Sequence, residues 1–284
     1  MTPQISHQVL SSFILWLDNK ICTKGLAYTN TSSTFYRTND LLNGNYSYSS
    51  PYKQWVADSS IPGASIITGV YVGNTFIRTG QSGFTDINYA HGQVYMTGIA
   101  AQTVSGSFAI KDFNIVSTNA SEQRLLFETK YEVRPKVGRT LTGLRGDEIT
   151  YPIIWVKFNT SNNEPFCFGG TDITVDRVRA IVVADNQFNL DAVTSILRDT
   201  SRTYIPLINS GEMPFNPRGG FRSGSYNYTG LANKGADLST FINRVDISFL
   251  DAATNEINTL KDIHSQIYPA IVDFEIHNVR NPHS

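Results

Sequence analysis

The sequence predicts a mainly β protein with a few helices, built as an antiparallel β-sandwich or barrel-like body behind an N-terminal helix. Three observations predict this α+β arrangement. The composition is 12% aromatic and only 17% charged, and the uncharged polar residues are largely Asn, Ser and Thr, which suits strands and turns better than helical bundles. Several short segments alternate apolar and polar residues with period two. A run of apolar residues at helical spacing occurs at the start of the chain.

The N-terminal segment predicts a helix because Ile5, Val9 and Phe13 recur at helical spacing. Thr2-Pro3 offers a cap followed by proline at the first helical position, and Gly25 is a plausible end. Apolar residues occupy more than one face of this helix. It therefore packs either into its own domain, which we favour, or against a neighbouring chain.

Two successive β-hairpins are predicted between residues 66 and 97. The first covers residues 66–79 and turns at Gly73-Asn74, and the second covers residues 84–96 with Gly92 in its turn. Glycine at these turns supplies the positive φ that a tight hairpin requires.

The chain divides into three predicted parts. Residues 1–27 form the helix, residues 28–146 a hairpin-rich domain, and residues 147–284 a second β-rich domain. The boundary lies in a connector rich in proline and glycine at 135–146. The hairpin-rich domain includes a tyrosine-rich surface excursion at 28–65.

The second half mixes strands with one helix. Residues 178–184 are nearly all apolar and mostly β-branched, which predicts a central strand buried on both faces. Residues 189–198 predict an amphipathic helix, and the glycines and prolines of 209–236 predict a loop. Clean alternation at 245–249 and 272–277 predicts antiparallel strands with one solvated face.

Charge and chemistry-bearing residues argue for a protein that is not an enzyme. The net charge of −1 disfavours a strongly basic grip on nucleic acid. Cys22 and Cys167 are far apart, so we expect two small buried thiols in a reducing cytosol rather than a disulfide or a zinc site. The five histidines show no metal-binding spacing, and no nucleophile elbow or phosphate-binding loop occurs. We expect no cofactor and no metal.

Carboxylates near the central strand are the residues that a third, enzymatic hypothesis would use. Asp172, Asp176, Asp185 and Asp191 cluster in sequence there, and Asp185 with a partner would suit a glycan hydrolase. The simpler interpretation is that Asp185-Asn186 opens a turn and that Asn189 and Asp191 cap and charge the start of the helix. No apolar run is long enough to span a bilayer, so we expect no membrane partner.

Residues 69–80 followed by residues 86–96 resemble the paired hairpins of tailed-bacteriophage virion proteins. There, a strand–Gly/Asn–strand unit precedes a D-x-x-Y-x-x-G-x-V hairpin, matched here by Asp86, Tyr89, Gly92 and Val94. The resemblance implies a non-enzymatic virion structural protein, made in the host cytoplasm, that forms an oligomeric ring or collar in the neck and joins head to tail. Its implied partners are copies of itself and adjacent virion proteins, either portal or connector subunits or the tail tube or sheath, with no specific nucleic acid. The matched motif is structural, so no binding residues carry over from it.

Aromatic and arginine side chains dominate the contacts between protein subunits. We therefore expect an interface that contains such residues: Phe13, Trp16, Tyr46, Tyr48, Trp55, Arg218, Arg222, Tyr226 and Tyr228. The alternative is a tail-tip or baseplate protein that binds a receptor or a carbohydrate, in which Trp55, Tyr226 and Tyr228 stack on sugars.

Overall fold

The computed structural model confirms the predicted fold class. It is mainly β, with an antiparallel, nearly closed barrel-like sheet, a second sheet, and an N-terminal helix. All structural statements refer to the residues that the structure describes: 5–81, 83–121, 124–125, 133–134, 149–167, 170–215, 224–234, 239–249 and 267–280.

Three helices occur among these residues: α1 at Ile5–Lys24, α2 at Gln187–Arg198 and α3 at Tyr228–Lys234. Helix α1 is buried on more than one face, and its Phe13 ring meets Phe274 of the second sheet edge-on with ring centroids 5.0 Å apart. The prediction that this helix packs within its own chain is confirmed. The helix ends where the Gly25 N–H donates to Ile21 O at 3.0 Å.

The first sheet has seven strands in the order β4-β3-β7-β1-β2-β6-β5. The strands are β1 at Tyr28–Leu42, β2 at Asn45–Ser49, β3 at Gly69–Val72, β4 at Thr75–Arg78, β5 at Phe84–Asn88, β6 at Gln93–Met96 and β7 at Val104–Lys111. The first part of β1 up to Phe35 pairs with β7, whereas the part from Tyr36 onward pairs with β2. One strand thus belongs to both halves of the sheet, which lets the sheet curl toward a barrel.

A crossing segment at residues 50–56 bridges two parts of this sheet. Its backbone N–H groups donate to the turn between β5 and β6, from Gln54 to Ala90 O at 3.0 Å and from Trp55 to Tyr89 O at 2.8 Å, and to β7, from Val56 to Ala109 O at 2.8 Å. The predicted surface excursion at 28–65 is therefore two strands followed by a crossing segment, because the aromatic side chains in it are used to fill the core.

The second sheet has five strands in the order β13-β14-β12-β11-β8. Its strands are β8 at Asn114–Ser117, β11 at Ile153–Cys167, β12 at Thr171–Ala184, β13 at Thr240–Phe249 and β14 at Tyr268–Arg280. Between β8 and β11 in the chain, β9 at Val133–Arg134 and β10 at Ile149–Thr150 form a separate two-stranded parallel sheet. Strand β8 pairs in parallel with β11, so the proposed boundary at residue 146 separates β8 from the sheet to which it belongs.

Several local predictions are confirmed. Both hairpins form, with Gly73 at φ +60 and Gly92 at φ +62 in their turns. Residues 180–184 of β12 are buried on both faces, between the main core and a smaller cluster around Trp155. Buried residues alternate with partly exposed ones along β14. The prediction of a loop through 209–236 was wrong for Tyr228–Lys234, which form α3.

Candidate assembly interface

Most of the residues predicted for an interface lie inside the fold. Six of them are at most 8% exposed: Phe13, Trp16, Tyr48, Trp55, Tyr226 and Tyr228. Tyr46 is half-buried, and Arg218 and Arg222 lie outside the described residues. The six buried side chains hold the monomer together and present no surface to a partner in this conformation.

Trp55 shows why sequence reasoning misplaced these residues. Its ring stacks on Phe108 at 4.4 Å and lies 5.5 Å from Phe35, at the point where the crossing segment meets β7. A large aromatic side chain stabilises a core and an interface by the same apolar burial, so residue type alone does not separate the two. The alternative of sugar stacking on Trp55, Tyr226 and Tyr228 lacks an exposed ring face at all three positions, since they are 1%, 8% and 6% exposed.

A buried ion pair joins α1 to β7. Lys111 Nζ lies 2.5 Å from Asp18 Oδ1, and the Tyr226 hydroxyl donates to Asp18 Oδ2 at 3.4 Å. Burial acts to lower the pKa of Lys111, but Asp18, with Cys22 and Asp58, outweighs it, so this pKa is raised. Burial, reinforced by Asp18 and Asp58, raises the pKa of Tyr226 well above its usual value. These shifts keep Lys111 charged and Tyr226 neutral as a donor.

Asp58 completes the network with a fully buried carboxylate. It accepts hydrogen bonds from Asn19 Nδ2 at 2.8 Å, from the backbone N–H and the hydroxyl of Ser60 at 2.9 and 2.7 Å, and from the Tyr228 N–H at 3.0 Å. The last of these satisfies an N–H at the start of α3. Asp58 therefore links α1, the segment after Trp55 and α3, and these hydrogen bonds stabilise the packing of the three elements.

The two cysteines differ from expectation. Cys22 is buried beside this network, and burial, followed by the Asp18 charge, raises its pKa. Cys167 is exposed at the end of β11, so the prediction of a second buried thiol was wrong. Its described aromatic neighbour Phe166 does not enclose it, because Phe166 is itself exposed on the distal part of β11.

Asp185, the carboxylate that the enzymatic hypothesis would use, lies at the start of α2. Asn186, rather than Asn189 or Asp191, is the N-cap of α2, and its side chain accepts from the Asn189 N–H at 2.7 Å. Asp185 accepts from Asn186 Nδ2 at 2.9 Å and so belongs to this helix start. Within the described residues, no group of three or more His, Cys, Asp or Glu side chains is placed to hold a metal ion, and no helix there has the length and apolarity to cross a membrane.

The outer edge of β11 beyond its pairing with β8 is open, and the other outer strand of the second sheet is β13. Strand β11 pairs with β8 only from Ile153 to Val156, and residues 159–167 are all exposed. In the part of the chain that the structure describes, no strand covers this outer edge beyond Val156. Such an edge offers a row of N–H and C=O groups that can pair with another chain.

Two irregularities frame the usable part of this edge. The register with β12 shifts between Phe158 and Thr160 and again between Pro165 and Cys167. Such shifts and Pro165 blunt an edge locally, which leaves the run Thr160–Glu164 in regular register and with every backbone N–H present. Glu164 is the charged residue in that run, and it contains no lysine.

A second exposed feature lies in the first sheet, at the β1–β2 hairpin. Leu41 near its tip is 61% exposed, and the turn is made by Asn43 and Gly44 with positive φ. The β11 edge and this hairpin are different surfaces on different sheets. No protein-family model and no curated protein matches this chain.

Proposed function

We propose that this chain is a non-enzymatic structural protein of a tailed-phage virion, whose copies form an oligomeric ring or collar in the neck that joins head to tail. The single observation that carries the assembly role is the open edge of β11 between the two register shifts. The resemblance of the two hairpins at 69–80 and 86–96 to those of tailed-phage virion proteins supports the location in the virion.

The edge favours pairing with another chain for a physical reason. Adding a strand to Thr160–Glu164 gives partners to backbone groups that water otherwise occupies, and main-chain pairing of this kind is a common mode of association. The side chains in the run are mostly uncharged, so little charge is desolvated when the edge is covered.

An oligomeric ring needs two different surfaces on each subunit, because its contacts are head-to-tail. The β11 edge supplies one such surface. The β1–β2 hairpin, with the exposed Leu41, supplies a chemically different one. We propose that these two surfaces meet in neighbouring subunits.

The experiment measures the mass of the full-length chain across a concentration series and images the largest species by electron microscopy. We expect closed oligomeric rings. Asn162→Lys places a charge in the exposed edge and is expected to weaken association at least tenfold, because lysine on an edge strand opposes pairing. Ser195→Lys, on the exposed side of α2, adds the same charge away from both surfaces and is the matched control.

A chain that stays monomeric at every concentration, or that associates equally well with Asn162→Lys, would contradict the assembly role. Location is tested separately with antibodies to this chain on purified phage particles. We expect labelling at the neck. Labelling at the tail tip would instead favour the alternative of a receptor-binding or carbohydrate-binding protein.

A further inference from the structure

The outer face of the first sheet carries an uncharged row that runs across four strands. The register pairs Tyr71 with Phe76 on one side and with Ser105 on the other, and pairs Ser105 with Thr34. The residues that alternate with them, such as Val70 and Val104, are buried in the core. Because side chains alternate along a strand, the outer row Phe76–Tyr71–Ser105–Thr34 faces away from the core.

Two aromatic rings form one end of this outer row. Tyr71 and Phe76 are each 44% exposed, with ring centroids 5.0 Å apart and planes tilted by 54°. Gly69 lets the Phe76 ring and the β4 backbone approach β3 closely, since a Cβ at this position would stand 2.5 Å from Ile77 O and 2.6 Å from Phe76 Cζ. The Phe76 ring therefore leans across the backbone of β3 and turns its other side to solvent.

A third aromatic ring lies beyond the other end of the row. Tyr36 is 67% exposed, and its hydroxyl oxygen accepts a hydrogen bond from Thr34 Oγ1 at 3.1 Å. Thr34 lies two strands away from Tyr71, which corresponds to roughly 10 Å at the usual spacing between strands. The next paired row contains Ser107 and Ser32, both exposed. Hydroxyl groups thus fill the space between the two aromatic ends.

We propose that this outer face binds a neutral oligosaccharide. The apolar C–H face of a sugar packs on an aromatic ring, and its hydroxyls exchange hydrogen bonds with serine and threonine, which both donate and accept. The distance between the two aromatic ends is one that a disaccharide spans. The row Phe76–Tyr71–Ser105–Thr34 itself contains no charged side chain, which favours a neutral sugar as the ligand along it. Arg78, paired with Gly69, lies two residues from Phe76 on the same exposed face of β4, so the acidic comparison tests whether this cation selects a charged sugar instead. This binding role goes beyond the proposed assembly and does not depend on it.

The test probes the full-length chain with immobilised neutral hexasaccharides of glucose, galactose, mannose and N-acetylglucosamine, with sialylated oligosaccharides as the acidic comparison. Any hit is titrated in solution while ring-proton chemical shifts are followed by NMR. We expect a neutral hexasaccharide to bind and to shift the signals of Tyr71 and Phe76. Tyr71→Ala and Phe76→Ala are each expected to weaken binding at least tenfold, while Phe76→Tyr retains it.

Gly69→Ala is a further variant that keeps both aromatic residues but displaces β4 and the Phe76 ring, because the added Cβ would stand 2.5 Å from Ile77 O and 2.6 Å from Phe76 Cζ. We expect it to weaken binding as well. Phe188→Ala removes an aromatic residue that is 81% exposed on α2 and is the control that leaves binding unchanged. The proposal is overturned if no neutral hexasaccharide binds, if only the sialylated probes bind, or if Tyr71→Ala binds like the wild type. It is also overturned if Tyr71→Ala abolishes self-association instead, since this face would then be a contact between copies.

Discussion

The two sheets differ in how the main chain beside them is used. In the first sheet, the crossing segment at 50–56 donates hydrogen bonds to the β5–β6 turn and to β7 and brings Trp55 into the core. In the second sheet, β11 continues past its short pairing with β8 as an exposed strand whose outer edge no described strand covers. The crossing segment uses its main-chain groups within the chain, whereas the distal part of β11 leaves such groups available to a partner.

This difference explains where the aromatic residues go. Packing the crossing segment on the first sheet requires large side chains under it, and Trp55 with Phe35 and Phe108 supplies them. The open edge of β11 needs no such side chains, because an added strand pairs through the backbone. Substitutions under the crossing segment should therefore change the free energy of unfolding, whereas substitutions at the open edge of β11 should change the association of copies of the chain.

The largest expected effect comes from Trp55→Ala. Trp55 is 1% exposed, and truncating a buried tryptophan or phenylalanine costs about 3–5 kcal/mol in free energy of unfolding. Denaturant unfolding followed by far-UV circular dichroism measures this. Phe188→Ala, which removes a ring that is 81% exposed, should change stability by less than about 0.5 kcal/mol. Equal losses in the two variants would show that Trp55 does not hold the crossing segment on the sheet.

The next effect comes from the buried ion pair between Lys111 and Asp18, beside the crossing segment, where the Lys111 N–H donates to Gln54 O at 2.8 Å. Lys111→Met leaves the Asp18 carboxylate without its cation, and breaking a buried pair in this way costs about 3–5 kcal/mol. The double variant Lys111→Met/Asp18→Leu removes both charges and is expected to recover much of that loss. A double variant that is less stable than Lys111→Met alone would contradict this account.

The Lys111–Asp18 ion pair and the neighbouring Tyr226 should make the protein less stable at alkaline pH. Lys111 and Tyr226 have pKa values raised above their ordinary 10.5 and 10.0, so the folded state holds both protons more tightly than the unfolded chain. This stabilisation is fully present below those ordinary values and is lost as the pH rises toward the folded values. The free energy of unfolding of the wild type should therefore fall above about pH 10, and the fall should be smaller in Tyr226→Phe.

The sequence predicts what depends on local patterning. The hairpins at Gly73-Asn74 and Gly92 and the alternation along β14 are confirmed because period and turn chemistry are local properties. The crossing segment was not predicted, since its partners near Tyr89 and Ala109 are remote in sequence. For the same reason, the predicted interface included Trp55, whose burial depends on tertiary packing. The exposure of Phe76 carried a usable signal, because alternation along β4 places Phe76 on the same face as Arg78.

The smallest effect is expected at the far end of the second sheet, where a buried carboxylate is incompletely paired. Asp176 is fully buried; its Oδ1 accepts from Ser6 Oγ at 3.3 Å, and its Oδ2 has no hydrogen-bond partner among the described residues. Burial raises the pKa of this carboxyl above its ordinary 3.8, against the opposing effects of Ser161, Ser6 and Arg280. The folded state therefore favours the protonated acid, and stability is lost as the pH rises from that ordinary value through the folded one.

Asp176→Asn removes this loss, since the amide is neutral at every pH and still accepts from Ser6. We expect the variant to be more stable than the wild type by about 1 kcal/mol at pH 7, and to differ little near pH 3, where the carboxyl is largely protonated. Denaturant unfolding at the two pH values measures both. Asp58→Asn is the matched contrast, because Asp58 already accepts four hydrogen bonds and its neutral replacement is expected to lower stability. A gain in both variants, or in neither, would show that incomplete pairing does not distinguish these two carboxylates.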